Sequence, residues 1–297
     1  MCTTMEFCSR QLDEHGFITG REKDWIYIDW ADLDKEGPLC AEQMLLAKCW
    51  KVMADLSCVL GLSGEICEEK YAALTEQIQK YYWDEEKGAY IDSFISGKRH
   101  VTRHANIFAL LFGIAKEEQQ QSIIENVLEN PDVPQITTPY FQFYELEALC
   151  RAGHPGEVLE RIKGYWGAML DRGAVAFWEE FDPDAPAEEQ YDMYGDRFGK
   201  SLCHAWGASP IYLLGRYFMG IRPLCPGGER FAVEPHLEFF DRLNCHFPIA
   251  DGTVEIKWDG KKLSVNTNLT GGILYLPDRD AVTLEAEKEN IYEVFGC

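Results

Sequence analysis

The feature that most constrains this chain is a change of hydrophobic period. Up to Arg222-Pro223 apolar side chains recur at gaps of three and four, and beyond it they alternate. The first strong helix reads from Leu39, with Leu45, Cys49, Val52, Met53, Leu56 and Leu60 on one stripe, and closes at Gly61 and Gly64. Cys67, Tyr71, Leu74, Ile78 and Tyr81 repeat the pattern up to the polar turn Trp83-Asp84-Glu85-Glu86-Lys87-Gly88, so two helices form a hairpin. Further helices are expected over 104–115, 117–129, 138–152, 156–170 and 210–219, each bounded by Gly, Pro or Asp. Ser209 reads as an N-cap ahead of Pro210, and Gly220 as a C-cap glycine. Helices at hairpin spacing with no strand between them predict a mainly α domain over 1–222, as a bundle or an α/α toroid; the period does not separate these two.

From 223 to 297 the expectation is a small antiparallel β domain. Val254, Ile256 and Trp258 share one face of a strand, Asp259-Gly260 supplies a hairpin turn, and Leu263, Val265 and Thr267 continue the alternation on the return. Strands are also expected over 273–276 and 282–286.

Composition removes whole classes of partner. The 28 basic and 50 acidic residues leave a net charge of −22 with no Lys/Arg cluster, which argues against nucleic acid and against an anionic membrane. No apolar run approaches the ~18 residues of a membrane-spanning helix. The 11 cysteines lack a Cys-x-x-Cys pair and the 7 histidines lack a His-Glu-x-x-His pair, so neither a metal site nor a cofactor is expected. That cysteine usage reads as a reducing, cytoplasmic setting without structural disulfides. Asn268-Leu269-Thr270 matches a glycosylation acceptor, which in that setting reads as a chance match.

Three acidic and aromatic clusters stand out: Asp24-Trp25-Ile26-Tyr27-Ile28-Asp29-Trp30, Phe177-Trp178-Glu179-Glu180-Phe181 and Ser201-Leu202-Cys203-His204-Ala205-Trp206. An indole face stacks on the C–H groups of a pyranose while carboxylates accept from its hydroxyls, so Trp beside Asp or Glu is what a sugar site needs. A carboxylate walled by aromatics is also desolvated, which fits it for proton transfer. Tryptophans at helix ends serve core packing just as well, and Asp29 could bind a hydroxyl or cap the following helix. His104, on an apolar stripe, reads as a core histidine.

Trp25-Ile26-Tyr27-Ile28-Asp29-Trp30, followed by Cys40-Ala41-Glu42-Gln43 opening a helix, resembles the bacterial α-L-rhamnosidases of glycoside hydrolase family 78. So do Thr138-Pro139-Tyr140-Phe141 with Tyr144-Glu145-Leu146, then Gly173 through Glu179, Ser201 through Gly207, and Gly220-Ile221-Arg222-Pro223. Each motif is short; their order and spacing are specific.

The resemblance implies a six-hairpin (α/α)6 barrel, here partial, followed by a small antiparallel β-sandwich, and hydrolysis of terminal α-L-rhamnosides with inversion. It makes Glu179 the general base and His204 a hydrogen-bonding partner of the sugar, with Trp25, Trp30, Asp29, Trp178 and Trp206 lining the subsite; Glu180 is left to surface or support. The family's general acid sits in an Asp- and Arg-rich segment upstream of the Trp-Ile-Tyr-Ile-Asp-Trp stretch, and nothing in residues 1–23 matches it. The expectation is therefore a fragment, inactive in isolation, whose partner is the missing N-terminal part of the same polypeptide and whose substrate is a rhamnoside. A noncatalytic carbohydrate-binding or interaction module on the same fold is the alternative, and other α/α-barrel glycosidases and phosphorylases share the scaffold.

Overall fold

The computed structural model describes residues 2–19, 25–277 and 279–294. The chain forms two compact units, residues 1–148 and 149–297. The first is built from α1 (Cys2–Ser9), α2 (Cys40–Val59), α3 (Glu65–Tyr82), a short hairpin of β1 (Trp83–Asp84) and β2 (Ala89–Tyr90), α4 (Arg103–Leu111), α5 (Glu117–Ile123) and α6 (Pro139–Arg151), the last running across the division between units.

Antiparallel α2 and α3 make the expected hairpin, but α2 buries a different face from the expected stripe. Met44, Ala47, Trp50 and Ala54 are buried, whereas Cys49, Leu56 and Leu60 are exposed. The cause is local: α2 carries apolar residues nearly all round, so its period specifies a helix and not its orientation. In α3 the expected Leu74 and Ile78 are buried, joined by Tyr82, whose hydroxyl donates to the Pro38 carbonyl at 2.9 Å.

The polar turn after α3 is a two-stranded hairpin that interrupts this helical unit. Asn106 of α4 holds it: Oδ1 accepts the Tyr90 N–H at 2.8 Å and Nδ2 donates to the Tyr90 carbonyl at 2.9 Å. Arg103, one turn earlier, is buried against Glu145 of α6 and donates to the Leu128 carbonyl at 2.8 Å. A buried guanidinium needs its charge matched, and the terminal nitrogens of this one, with Nε left without a partner, tie three helical stretches together.

The second unit continues with a helix that starts at α7 (Pro155–Ile162), widens through a π-helical turn at Lys163–Gly167 and ends as α8 (Ala168–Asp171). After a long non-helical stretch comes α9 (Ser209–Leu213), which also passes into a π-helical turn, Leu214–Phe218. Pro155 lies in the first helical turn of α7, as its fixed φ permits. Ser209 is not the N-cap: Ala208 takes that place and the Ser209 hydroxyl is buried with no hydrogen bond. Gly220 does terminate the helix, with φ +64 and its α-carbon against the Glu234 carbonyl, where any side chain would overlap.

Helix gives way to strand at β3 (Arg222–Pro223), followed by β4 (Phe231–Val233), β5 (Leu243–Ile249), β6 (Gly252–Trp258), β7 (Lys262–Thr267), β8 (Gly272–Leu276), β9 (Arg279–Thr283) and β10 (Asn290–Glu293). They form two four-stranded sheets, ordered β10-β7-β6-β5 and β3-β4-β8-β9. The β6/β7 register sets Val254 opposite Thr267, Ile256 opposite Val265 and Trp258 opposite Leu263, and all six are buried, so the alternation in the sequence is the inward face of this sheet. Pairing is antiparallel except between β4 and β8, which run parallel.

Candidate active site

In the second unit the site grows from two extended segments that hydrogen-bond to each other. The Glu179 N–H donates to the Ser201 carbonyl at 2.9 Å and the His204 N–H to the Phe177 carbonyl at 2.7 Å. This pairing sets residues 177–180 beside 201–204 although 20 residues separate them in sequence, so the second and third clusters meet as one site.

Glu179 is 6% exposed and its carboxylate is held at both ends. Oε2 accepts the Ser201 N–H at 3.0 Å, and Oε1 accepts the Tyr194 hydroxyl at 2.9 Å. His204 Nδ1 stands 3.8 Å from Oε2, and the Trp206 indole N–H donates to the Glu179 carbonyl at 2.7 Å. The His204 and Trp206 rings lie 4.7 Å apart, so the imidazole is braced by the indole that anchors the Glu179 backbone. Each carboxylate oxygen keeps lone-pair capacity beyond these bonds, as an acceptor of a proton from water requires.

Glu180 points elsewhere: its Oε2 pairs with Lys200 Nζ at 2.7 Å, and the Lys200 side chain is almost fully buried. Adjacent residues on extended backbone face opposite ways, so Glu180 is held in an ion pair with Lys200 while Glu179 faces Tyr194 and His204. Trp178 is buried, with its ring edge-on to Phe181 at 5.9 Å and to Tyr191 at 5.7 Å. At 3% exposure it presents no open face on which a sugar could stack. Sequence reading missed Tyr194 and Lys200. Lys200 carried a usable signal, a lone cation beside an acidic aromatic cluster, and Tyr194 carried none before the loop was folded.

Trp25, Asp29 and Trp30 belong to the first unit, on the segment leading into α2; Asp24 of the same cluster lies outside the described residues. Trp25 is 81% exposed with its ring 5.3 Å from that of Tyr27, an open aromatic surface. Trp30 is half-buried. Asp29 is neither exposed nor a cap. It is buried, with Oδ2 2.9 Å from His104 Nε2 and Oδ1 accepting the Thr138 hydroxyl at 2.6 Å. Both oxygens thus fix the aromatic segment to α4 and to the start of α6.

Among the described residues no three His, Cys, Asp or Glu side chains are arranged to hold a metal ion, and no helix is long and apolar enough to cross a membrane.

Residues 1–218 match the family model described as the bacterial alpha-L-rhamnosidase six-hairpin glycosidase domain. Among solved structures, the family 78 rhamnosidase of Bacillus sp. GL1 superposes with a TM-score of 0.79 at 24% identity, over 93% of this chain and 30% of its own. A Klebsiella oxytoca rhamnosidase with rhamnose bound gives 0.59 at 27% identity, over 72% of this chain and 40% of its own. The Streptomyces avermitilis alpha-L-rhamnosidase complexed with L-rhamnose gives 0.67 at 15% identity, over 97% and 29%. The chain thus spans about a third of the length of these rhamnosidases. Among curated proteins the comparison finds no match. A family match over residues 1–218, on a fold shared with those enzymes, makes this chain a member of the bacterial α-L-rhamnosidase six-hairpin glycosidase family.

Proposed function

We propose that this chain carries the base-bearing part of an inverting α-L-rhamnosidase, with Glu179 as the general base. The observation that carries the reading is the state of that carboxylate. It is buried and oriented by a backbone N–H and a phenol, has an imidazole beside it, and stands next to a glutamate whose charge is already neutralised by Lys200. That two solved relatives hold rhamnose supports the choice of sugar.

In an inverting glycosidase water attacks the anomeric carbon from the face opposite the leaving oxygen, and the base takes the water's proton as the glycosidic bond breaks. Glu179 would accept that proton on a free lone pair of either oxygen. His204 would donate to a sugar hydroxyl, and Trp206 would offer its ring to the pyranose. Exposed Trp25 and half-buried Trp30 are assigned sugar contacts, and Asp29 the role of holding them in place. A second carboxylic acid must protonate the leaving oxygen; it is assigned to the Asp- and Arg-rich segment of the family, which residues 1–23 do not match.

The test is hydrolysis of an aryl α-L-rhamnoside against the aryl α-L-arabinopyranoside, fucoside and glucoside, by the chain alone and joined to its upstream coding sequence. Selective rhamnoside cleavage releasing the β anomer first, and falling about 10²- to 10⁴-fold in Glu179→Gln, is the expected result. A folded protein that binds rhamnose but hydrolyses no glycoside in either form would replace it with the binding-module reading.

A further inference from the structure

Tyr194 sits where its backbone is costly. It has φ +54, followed by Gly195 at φ +79. Met193 and Asp196 exchange both backbone hydrogen bonds at 2.9 Å around this pair, so residues 193–196 are a two-residue turn with both central positions left-handed. Such turns favour Asn, Asp or Gly at the first central position, because there Cβ crowds the following carbonyl: Gly has none, and the short polar side chains of Asn and Asp offset the cost with local hydrogen bonds. Tyr194 is also 75% exposed, so burial does not repay the ring. Its hydroxyl nevertheless lands 2.9 Å from Glu179 Oε1.

The rest of the loop holds itself in place by other means. Gln190 Nε2 donates to the Asp182 and Ala185 carbonyls at 2.7 and 2.9 Å, the Lys200 N–H donates to the Tyr191 carbonyl at 3.1 Å, and the Tyr191 ring packs on Trp178. Gly199 lets the turn close down, since a side chain there would overlap the Met193 carbonyl. A strained tyrosine is therefore not needed to shape the loop. A left-handed φ at a tyrosine whose hydroxyl reaches a buried carboxylate is the kind of backbone outlier that points to function.

We infer that Tyr194 is a positioning residue for the base: its phenol clamps Glu179 Oε1 while the Ser201 N–H clamps Oε2, fixing the plane of the carboxylate. The inference rests on the assignment of Glu179 as base. Among the described residues, titratable groups beside Glu179 are His204, at 3.8 Å from Oε2, and Tyr194 itself; Lys200 is engaged by Glu180. The same hydrogen bond pushes the Tyr194 phenol above its ordinary value, because ionising it would remove the donor and set two anions together.

Two substitutions separate positioning from mere loop structure. Tyr194→Phe removes only the hydroxyl. Tyr194→Asn removes it while supplying the residue the turn prefers, so this variant should melt no lower than the parent. For rhamnoside hydrolysis by the chain joined to its upstream coding sequence, both should lower kcat about tenfold to a hundredfold with KM within about twofold. A structural role predicts the reverse for Tyr194→Asn, full activity with gained stability.

A second readout needs no turnover. In the chain labelled with ¹³C at the tyrosine ζ carbon, the Tyr194 resonance, assigned by its loss in Tyr194→Phe, should titrate at lower pH in Glu179→Gln. If it titrates identically with and without that carboxylate, or if Tyr194→Phe leaves kcat unmoved while Glu179→Gln abolishes hydrolysis, the clamp is wrong and the base stands. If Glu179→Gln hydrolyses rhamnosides at the parent rate, the base assignment falls and takes the clamp with it.

Discussion

At the scale of single residues, the chemistry rests on which polar groups are matched. His104 is buried with Nε2 on Asp29, while Nδ1 has no hydrogen-bond partner. A buried N–H without an acceptor is expensive, so the neutral ring should carry its proton on Nε2, donating to Asp29, and leave only a lone pair unmatched on Nδ1. Nitrogen-15 NMR of the imidazole should show that single tautomer. Replacing Asp29 by Ala strands both that N–H and the Thr138 hydroxyl, at a cost of about 3 kcal/mol, read as a lower urea midpoint with an unchanged m-value. Asp29→Asn keeps an acceptor for one of them and should cost about 1 kcal/mol; equal losses in the two variants would mean the network contributes shape rather than hydrogen bonding. Sequence pattern marked Asp29 as interesting and His104 as core, but not that they touch, since 75 residues separate them. It brought Glu179, His204 and Trp206 forward because short aromatic and acidic runs survive in one dimension. Tyr194 was invisible because its role depends on a turn conformation that the sequence around it disfavours.

At the scale of elements, punctuation was legible and facing was not. Gly and Pro signals placed α4 through α9 to within a few residues, and the β6/β7 hairpin appeared with its inward face correct, because alternation over a half-buried sheet admits one answer. In α2 two apolar faces competed, and only the partner helices decide between them. Parallel pairing of β4 with β8 left no trace either, since Phe231-Ala232-Val233 is a short continuous run with no alternation to read. Glycines test the element scale directly. At Gly220 an added Cβ would overlap the Glu234 backbone carbonyl on a left-handed φ, at the point where the last helix turns into the sheet. Gly220→Ala should cost about 2 kcal/mol or more. Gly164, in the π-helical turn after α7, meets nothing within 4 Å and has no left-handed φ. Gly164→Ala should stabilise by about 0.5–1 kcal/mol. Paired thermal melts decide: two changes of the same sign would mean that neither position is limited by its contacts.

At the scale of the whole molecule, two opposing tendencies set its behaviour in solution. A net charge of −22 makes copies repel one another, while each unit exposes apolar surface. In the first unit Val59, Leu60, Leu62 and Ile66 lie exposed around the α2–α3 turn. In the second, an apolar groove of about 430 Å³ is lined by Ile162, Trp166, Leu170, Val175, Phe177 and Leu214, with Val175 fully exposed. Repulsion between exposed charges acts over roughly 10 Å at 0.1 M salt and about 3 Å at 1 M, whereas the hydrophobic attraction is short-ranged and not screened. Salt should therefore promote association. Sedimentation at ~0.05 M and ~1 M sodium chloride should show the weight-average mass rising with salt, and Leu60→Lys with Ile66→Lys should suppress the rise if the α2–α3 turn is the contact. Val175→Lys should suppress it instead if the groove is. A mass that falls with salt would mean that complementary charge holds the copies together, and neither apolar surface would then be the cause.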